Sequence, residues 1–136
     1  LQARHEYRLS GATTTTARVF RPDAYLRVQE PAGRVRHLFV EIDMGHSSNA
    51  AIAEDMAAHV DYRDYVFPET YGAPSFQVLW ITTGERRRGH MLETATTMNE
   101  TSFLFATFAD LQQFGALAPI WHRPGCMAAL SLGDVE

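Results

Sequence analysis

Residues 21–43 constrain this chain more than any other segment. They read as two strands, 21–28 and 35–43, joined by Glu30-Pro31-Ala32-Gly33. Proline suits the second position of a type I turn, and glycine supplies the left-handed residue of a following bulge. A three-residue loop of Pro31, Ala32 and Gly33 sets Glu30 opposite Arg34. Counting outward, Leu26 faces Leu38, Tyr25 faces Phe39, Ala24 faces Val40, Asp23 faces Glu41 and Arg21 faces Asp43. A two-residue loop would shift this register by one. In the first register the small apolar pairs share one face, and the aromatic and acidic pairs share the other. Like charges directly opposite each other cost a hairpin roughly 0.2–1 kcal/mol. A hard divalent cation held between them reverses that sign. The competing reading is that Arg21 neutralises the acids and no metal binds.

Composition narrows the chemistry. All 12 basic residues are arginines, so a mechanism that needs a lysine amine is closed. The formal charge of −4 gives no general attraction to nucleic acid or to anionic membrane. Any contact with DNA therefore needs a local arginine patch. A length of 136 residues, 46% hydrophobic, is one domain's worth with a real core. The single cysteine, Cys126, follows Pro124-Gly125 and reads as a small packed thiol, which fits a reducing, cytoplasmic setting. No apolar run reaches the length of a membrane span. The chain starts at Leu1 rather than Met, so the expectation is the C-terminal part of a longer protein.

The element order reads as α/β. Residues 1–9 fit a short helix or an edge strand, and 11–16 fit a turn running into extended structure. After the hairpin, the polar loop 45–49 carries helix-capping residues. The segment 50–65 is helical, with Ile52, Met56 and Val60 every four residues and Ala53 and Ala57 beside them. A connection spans 67–74. The run 76–81 is apolar on both faces, as in a central covered strand. A second helix over 85–98 follows, then a short strand over 102–106, a helical turn or short helix over 108–114 and a final strand over 118–121. This order implies a mixed sheet flanked by helices.

Pro22-Asp23 on one strand and Glu41-Ile42-Asp43 on the next, followed by a helix and a buried strand, resemble the PD-(D/E)xK superfamily, the restriction-endonuclease-like fold. Arg21-Pro22-Asp23-Ala24, Glu41-Ile42-Asp43-Met44-Gly45 and Thr82-Thr83-Gly84-Glu85-Arg86 look more closely like the replication-relaxation family of plasmids and mobile elements. That resemblance covers residues 18–98. It implies DNA as partner, reached through a winged-helix domain ahead of this one, for which 1–18 has no room. It also implies Asp23 and Glu41 as ligands of Mg2+ or Mn2+, with the Ile42 carbonyl completing the edge. Asp43 stands where active nucleases of the superfamily keep a lysine. It could bind metal or accept a proton there but brings no positive charge. The helix after Gly45, from which a displaced lysine could reach in, offers only His59 and Arg63.

Other candidates are weaker. Arg86-Arg87-Arg88 opens the helix after the central strand, a common ligand position in α/β sheets, and could contact DNA phosphates. Its plainer reading is a solvated turn paired with Glu85 or Glu93. Glu6 is an upstream acid that nothing in its spacing selects. The six histidines show no zinc spacing, and His46 is the one nearest the acids in sequence. Trp80, Trp121, Tyr62 and Tyr65 read as packing residues. Two functions remain. One is metal-dependent cleavage of DNA phosphodiesters in mobile-element replication. The other is a nuclease-like fold without catalysis that associates with DNA or forms homo-oligomers.

Overall fold

The computed structural model describes residues 5–10, 15–72 and 75–135, with side chains from Arg21 onward except that of Tyr71. Six strands and four helices follow in the order β1 (His5–Ser10), β2 (Thr15–Phe20), β3 (Ala24–Gln29), β4 (Val35–Ile42), α1 (Asn49–Tyr65), α2 (Phe67–Tyr71), β5 (Gln77–Thr82), α3 (Glu85–Thr97), β6 (Phe103–Thr107) and α4 (Phe108–Phe114). Strands β1 and β2 form an antiparallel pair that lies against α1. The main sheet has the order β3-β4-β5-β6, antiparallel between β3 and β4 and parallel thereafter. The fold is mixed α/β, in agreement with the class read from the sequence.

The hairpin register is the one that turn chemistry gives. Ala24 pairs with Val40, Tyr25 with Phe39 and Leu26 with Leu38. The Glu30 N–H donates to the Arg34 carbonyl at 2.8 Å, and the Gly33 N–H donates back to the Glu30 carbonyl at 2.8 Å. Gly33 has φ +91°, a left-handed conformation that a Cβ penalises.

Both faces of the sheet are covered. On one, α1 and α3 close over Phe39, Val78, Trp80, Phe103 and Phe105. On the other, Leu38, Leu79, Ile81, Leu104 and Ala106 pack against Ile120, Trp121 and Val135. This double cover is why β5 and β6 are apolar on successive residues. Helix α1 begins where Ser48 caps it, its hydroxyl accepting from the Ala51 N–H at 3.1 Å. The buried stripe of α1 is Ile52, Met56, His59 and Tyr62. Val60 lies only at its margin, because the helical period brings His59 to the centre of the stripe.

Two details differ from the sequence reading. The connection at 67–74 contains a short helix, Phe67–Tyr71, with Pro68 in its first turn, where a missing N–H costs nothing. The final strand expected over 118–121 is reduced to single bridges, Trp121 with Leu130 and His122 with Phe105. Residues 5–10 form a strand, one of the two forms expected for the N-terminal segment, while 1–4 and 11–14 lie outside the described residues. No described helix is long and apolar enough to cross a membrane.

Two glycines test this backbone. Neither Gly33 nor Gly89 has a neighbour within 4 Å of an added Cβ. Gly89 lies inside α3, so Gly89→Ala is expected to stabilise by about 1 kcal/mol. Gly33→Ala is expected to destabilise by about 1 kcal/mol through its backbone alone. Urea unfolding of both variants reads the two opposite signs.

Candidate metal centre

The alternation along β4 that puts Phe39 under α1 also puts Glu41 on that face, at the end of the hairpin. The regular register ends at Ala24, which faces Val40; the Asp23 N–H donates to that same Val40 carbonyl at 3.0 Å, and the Asp23 side chain is hydrogen-bonded to Glu41. Asp23 is exposed, and its Oδ2 accepts from the Ile42 N–H at 2.7 Å. Glu41 is largely covered, with its side chain 17% exposed.

Helix α1 supplies Glu41's partner. His59 Nε2 lies 2.8 Å from Glu41 Oε1, and the imidazole is fully enclosed. Its ring meets Trp80 edge-on at 5.3 Å. Burial, then the charges of Asp23 and Asp55 and a hydrogen bond with Asp23, push the Glu41 carboxyl up to about 9. Burial pulls His59 down to about 3. At neutral pH the pair is therefore a neutral acid bonded to a neutral imidazole. Asp55, one turn before His59 on α1, is itself raised by burial and by Glu54. It is the further acid of this centre, and the sequence reading missed it. The signal was available: Asp55 and His59 are four residues apart and so lie on adjoining turns of one helix.

Asp43 shares this face but not this cluster. Its N–H donates to the Ile81 carbonyl at 2.8 Å, continuing the β4–β5 ladder. Oδ2 accepts from the Thr82 hydroxyl at 2.6 Å and from Arg87 Nε at 2.9 Å. Oδ1 accepts from Arg87 Nη2 at 3.1 Å and from the Gly45 N–H at 3.3 Å. Burial would raise this carboxyl, but Arg87, Thr82 and Gly45 outweigh it and hold it below the usual range. The neutralising arginine expected at Arg21 is Arg87 instead, and it neutralises Asp43 rather than Asp23 or Glu41. No group of three or more His, Cys, Asp or Glu residues in metal-holding geometry occurs among the described residues. The acids that the structure brings together here are Asp23 and Glu41, with Asp55 close enough to raise Glu41.

The arginine triplet divides. Arg87 also donates to the Ser47 carbonyl at 2.7 Å, and Arg88 lies 3.4 Å from Asp110. Arg86 is exposed, and its side chain has no ion pair among the described residues. It borders a cleft of about 540 Å³ formed with Asn49, Thr83, Gly84 and His90, at the same sheet edge as the acids. The expected partners Glu85 and Glu93 pair with none of the three. His46 takes no part in the centre, and the side chain of Glu6 lies outside the described residues. Comparison of the chain with family models, with curated proteins and with solved structures found no match in any of the three.

The pair sets a pH profile. Glu41's folded pKa lies above its ordinary 4.5, so the folded state holds the extra proton and stability falls as pH rises from 4.5 toward 9. His59's folded pKa lies below its ordinary 6.5, so stability falls as pH drops from 6.5 toward 3. Between 4.5 and 6.5 the two slopes cancel. Thermal melts should therefore show the contribution of this pair flat in that window and declining on both sides. Glu41→Gln should raise Tm at pH 8 by about 4 °C or more and remove the alkaline decline. The Asp43 lock gives a second expectation. Arg87→Ala strands a buried carboxylate and should cost roughly 2–3 kcal/mol, whereas adding Asp43→Asn to it should recover part of that loss.

Proposed function

We propose that this chain is a restriction-endonuclease-like domain of the replication-relaxation type, cleaving DNA phosphodiesters with a divalent cation held at Asp23 and Glu41. The observation that carries the reading is the pairing of these two acids across the β3–β4 hairpin, on the helix-covered face at the end of the sheet. A structural hairpin gains nothing from opposed carboxylates, one of them forced to stay protonated. Mg2+ typically takes one or two carboxylates together with waters and substrate phosphates, so Asp23, Glu41 and the Ile42 carbonyl suit it as donors. When bound, the cation polarises the phosphate and acidifies a water molecule.

The chain's own residues do the rest. The Ile42 N–H fixes Asp23 through Oδ2, and the Asp23 carboxylate is also hydrogen-bonded to Glu41. His59 holds Glu41 through Oε1. Glu41 has to release its proton before it can ligate, and His59, too buried to charge, does not retain it. Arg86, at the open cleft on this edge, is suited to receive a DNA phosphate, whereas Arg87 is committed to Asp43.

Asp43 favours a second reading. With both its oxygens engaged and no lysine in the chain, the fold could serve as a DNA-associated or oligomerising module without catalysis. Titration with Mn2+ and incubation with supercoiled plasmid separate the two. Under the first reading Mn2+ binds, and its affinity rises about tenfold per pH unit between 6 and 8 as Glu41's proton is displaced. Asp23→Asn then abolishes both binding and cleavage. Binding without cleavage selects the second reading, and a wild-type protein indifferent to Mn2+ removes the first.

A further inference from the structure

At the opposite edge of the sheet, where β4, β5 and β6 begin, an open cleft of about 500 Å³ is lined by Arg34, Arg36, Arg63 and Arg123. The volume lies within the range of small-molecule sites, roughly 300–1,000 Å³. In a chain of net charge −4, four guanidiniums on one cleft stand out. Arg63 is satisfied, donating to Glu100 at 2.7 Å, to Ser102 at 2.9 Å and to Asp64 at 3.0 Å. Arg34 and Arg36 share one acid, Glu30, at 2.9 and 3.6 Å. Arg123 is half-buried, and its side chain has neither hydrogen bond nor ion pair among the described residues. Four guanidiniums thus face three acids, Glu30, Asp64 and Glu100, and Arg123 has no acid of its own among the described residues.

Two of these groups are also held in place. Arg36 donates to the Leu132 carbonyl and to the Gln77 side chain, and Arg34 reaches the Val135 carbonyl at 3.5 Å. Burial, and next the charge of Arg34, hold the Arg36 guanidinium below its usual range. An entering anion relieves that crowding at little cost in side-chain entropy, because the forks are already fixed.

We propose that this arginine cleft is a second ligand site that takes the phosphate group of a nucleotide-sized molecule. A phosphomonoester carries about −1.5 to −2 charge at neutral pH, enough to answer Arg123 together with the Arg34 and Arg36 pair, which shares a single acid. Its oxygens suit the forked donors of arginine. A single carboxylate would leave one guanidinium unanswered. The phosphate can belong to a free nucleotide or to the 5′-phosphorylated end of a nucleic-acid strand. The site does not depend on the acids at the other edge.

Calorimetric titration of the full chain with ATP, with inorganic phosphate and with a short 5′-phosphorylated single-stranded oligonucleotide tests the proposal. ATP or the oligonucleotide is expected to bind, with inorganic phosphate competing. Arg123→Gln should weaken that binding about tenfold or more while leaving Tm unchanged, since its side chain has no internal partner to lose. Arg34→Gln should weaken it as well. Binding of the oligonucleotide without ATP assigns the phosphate to a strand, and the reverse assigns it to a free nucleotide. The proposal is overturned if none of the three probes binds, if Arg123→Gln and Arg34→Gln bind like wild type, or if succinate binds as tightly as phosphate.

Discussion

Strand alternation is the constraint from which the chemistry follows. Once Gly33 closes the turn and sets Tyr25 against Phe39, Glu41 has no choice of face. The face it shares with those rings is the one that α1 and α3 cover. A carboxylate at that place loses most of its water, and Glu41 answers by keeping its proton. His59 exists in the same cover and answers in the opposite sense, by staying neutral. The hydrogen bond between them satisfies two buried polar groups without placing any charge in the aromatic core.

The third acid shows how one position can change a site without changing a fold. Asp43 sits a step beyond β4, still on the covered face, yet Thr82 and Arg87 draw it toward β5 and α3. That lock ties the ends of two strands and the first turn of a helix together. It also explains why three arginines in a row at a helix N-terminus, which oppose the helix dipole, do not count against α3. One is held by Asp43, another lies beside Asp110, and only Arg86 is left to solvent.

Much of this was legible in the residues. The hairpin register followed from Pro31 and Gly33, because turn chemistry is local. The covered strand at 77–82 followed from its unbroken apolar run. The two acids followed from the register. The partners of those acids did not, because they come from elements distant in sequence. His59 looked like one of the few basic residues on α1, yet its place in the stripe with Ile52 and Met56 marks it as buried. Arg87 could not be told from its two neighbours, since a run of like residues says nothing about which one turns inward. The short helix after Val66 was hidden by its proline, which reads as a break unless it falls in the first turn. The arginine cleft was invisible for a plainer reason. Its members are drawn from four separate segments, and only the fold brings them together.

The edge-on contact between His59 and Trp80 has one more consequence. An indole's emission responds to the polarity and charge around it, and Trp80 is shut away from solvent beside the hydrogen-bonded pair of His59 and Glu41. The domain therefore carries its own optical reporter. Whatever happens at Glu41, whether loss of a proton or arrival of an ion, is written first into the light that this buried ring returns.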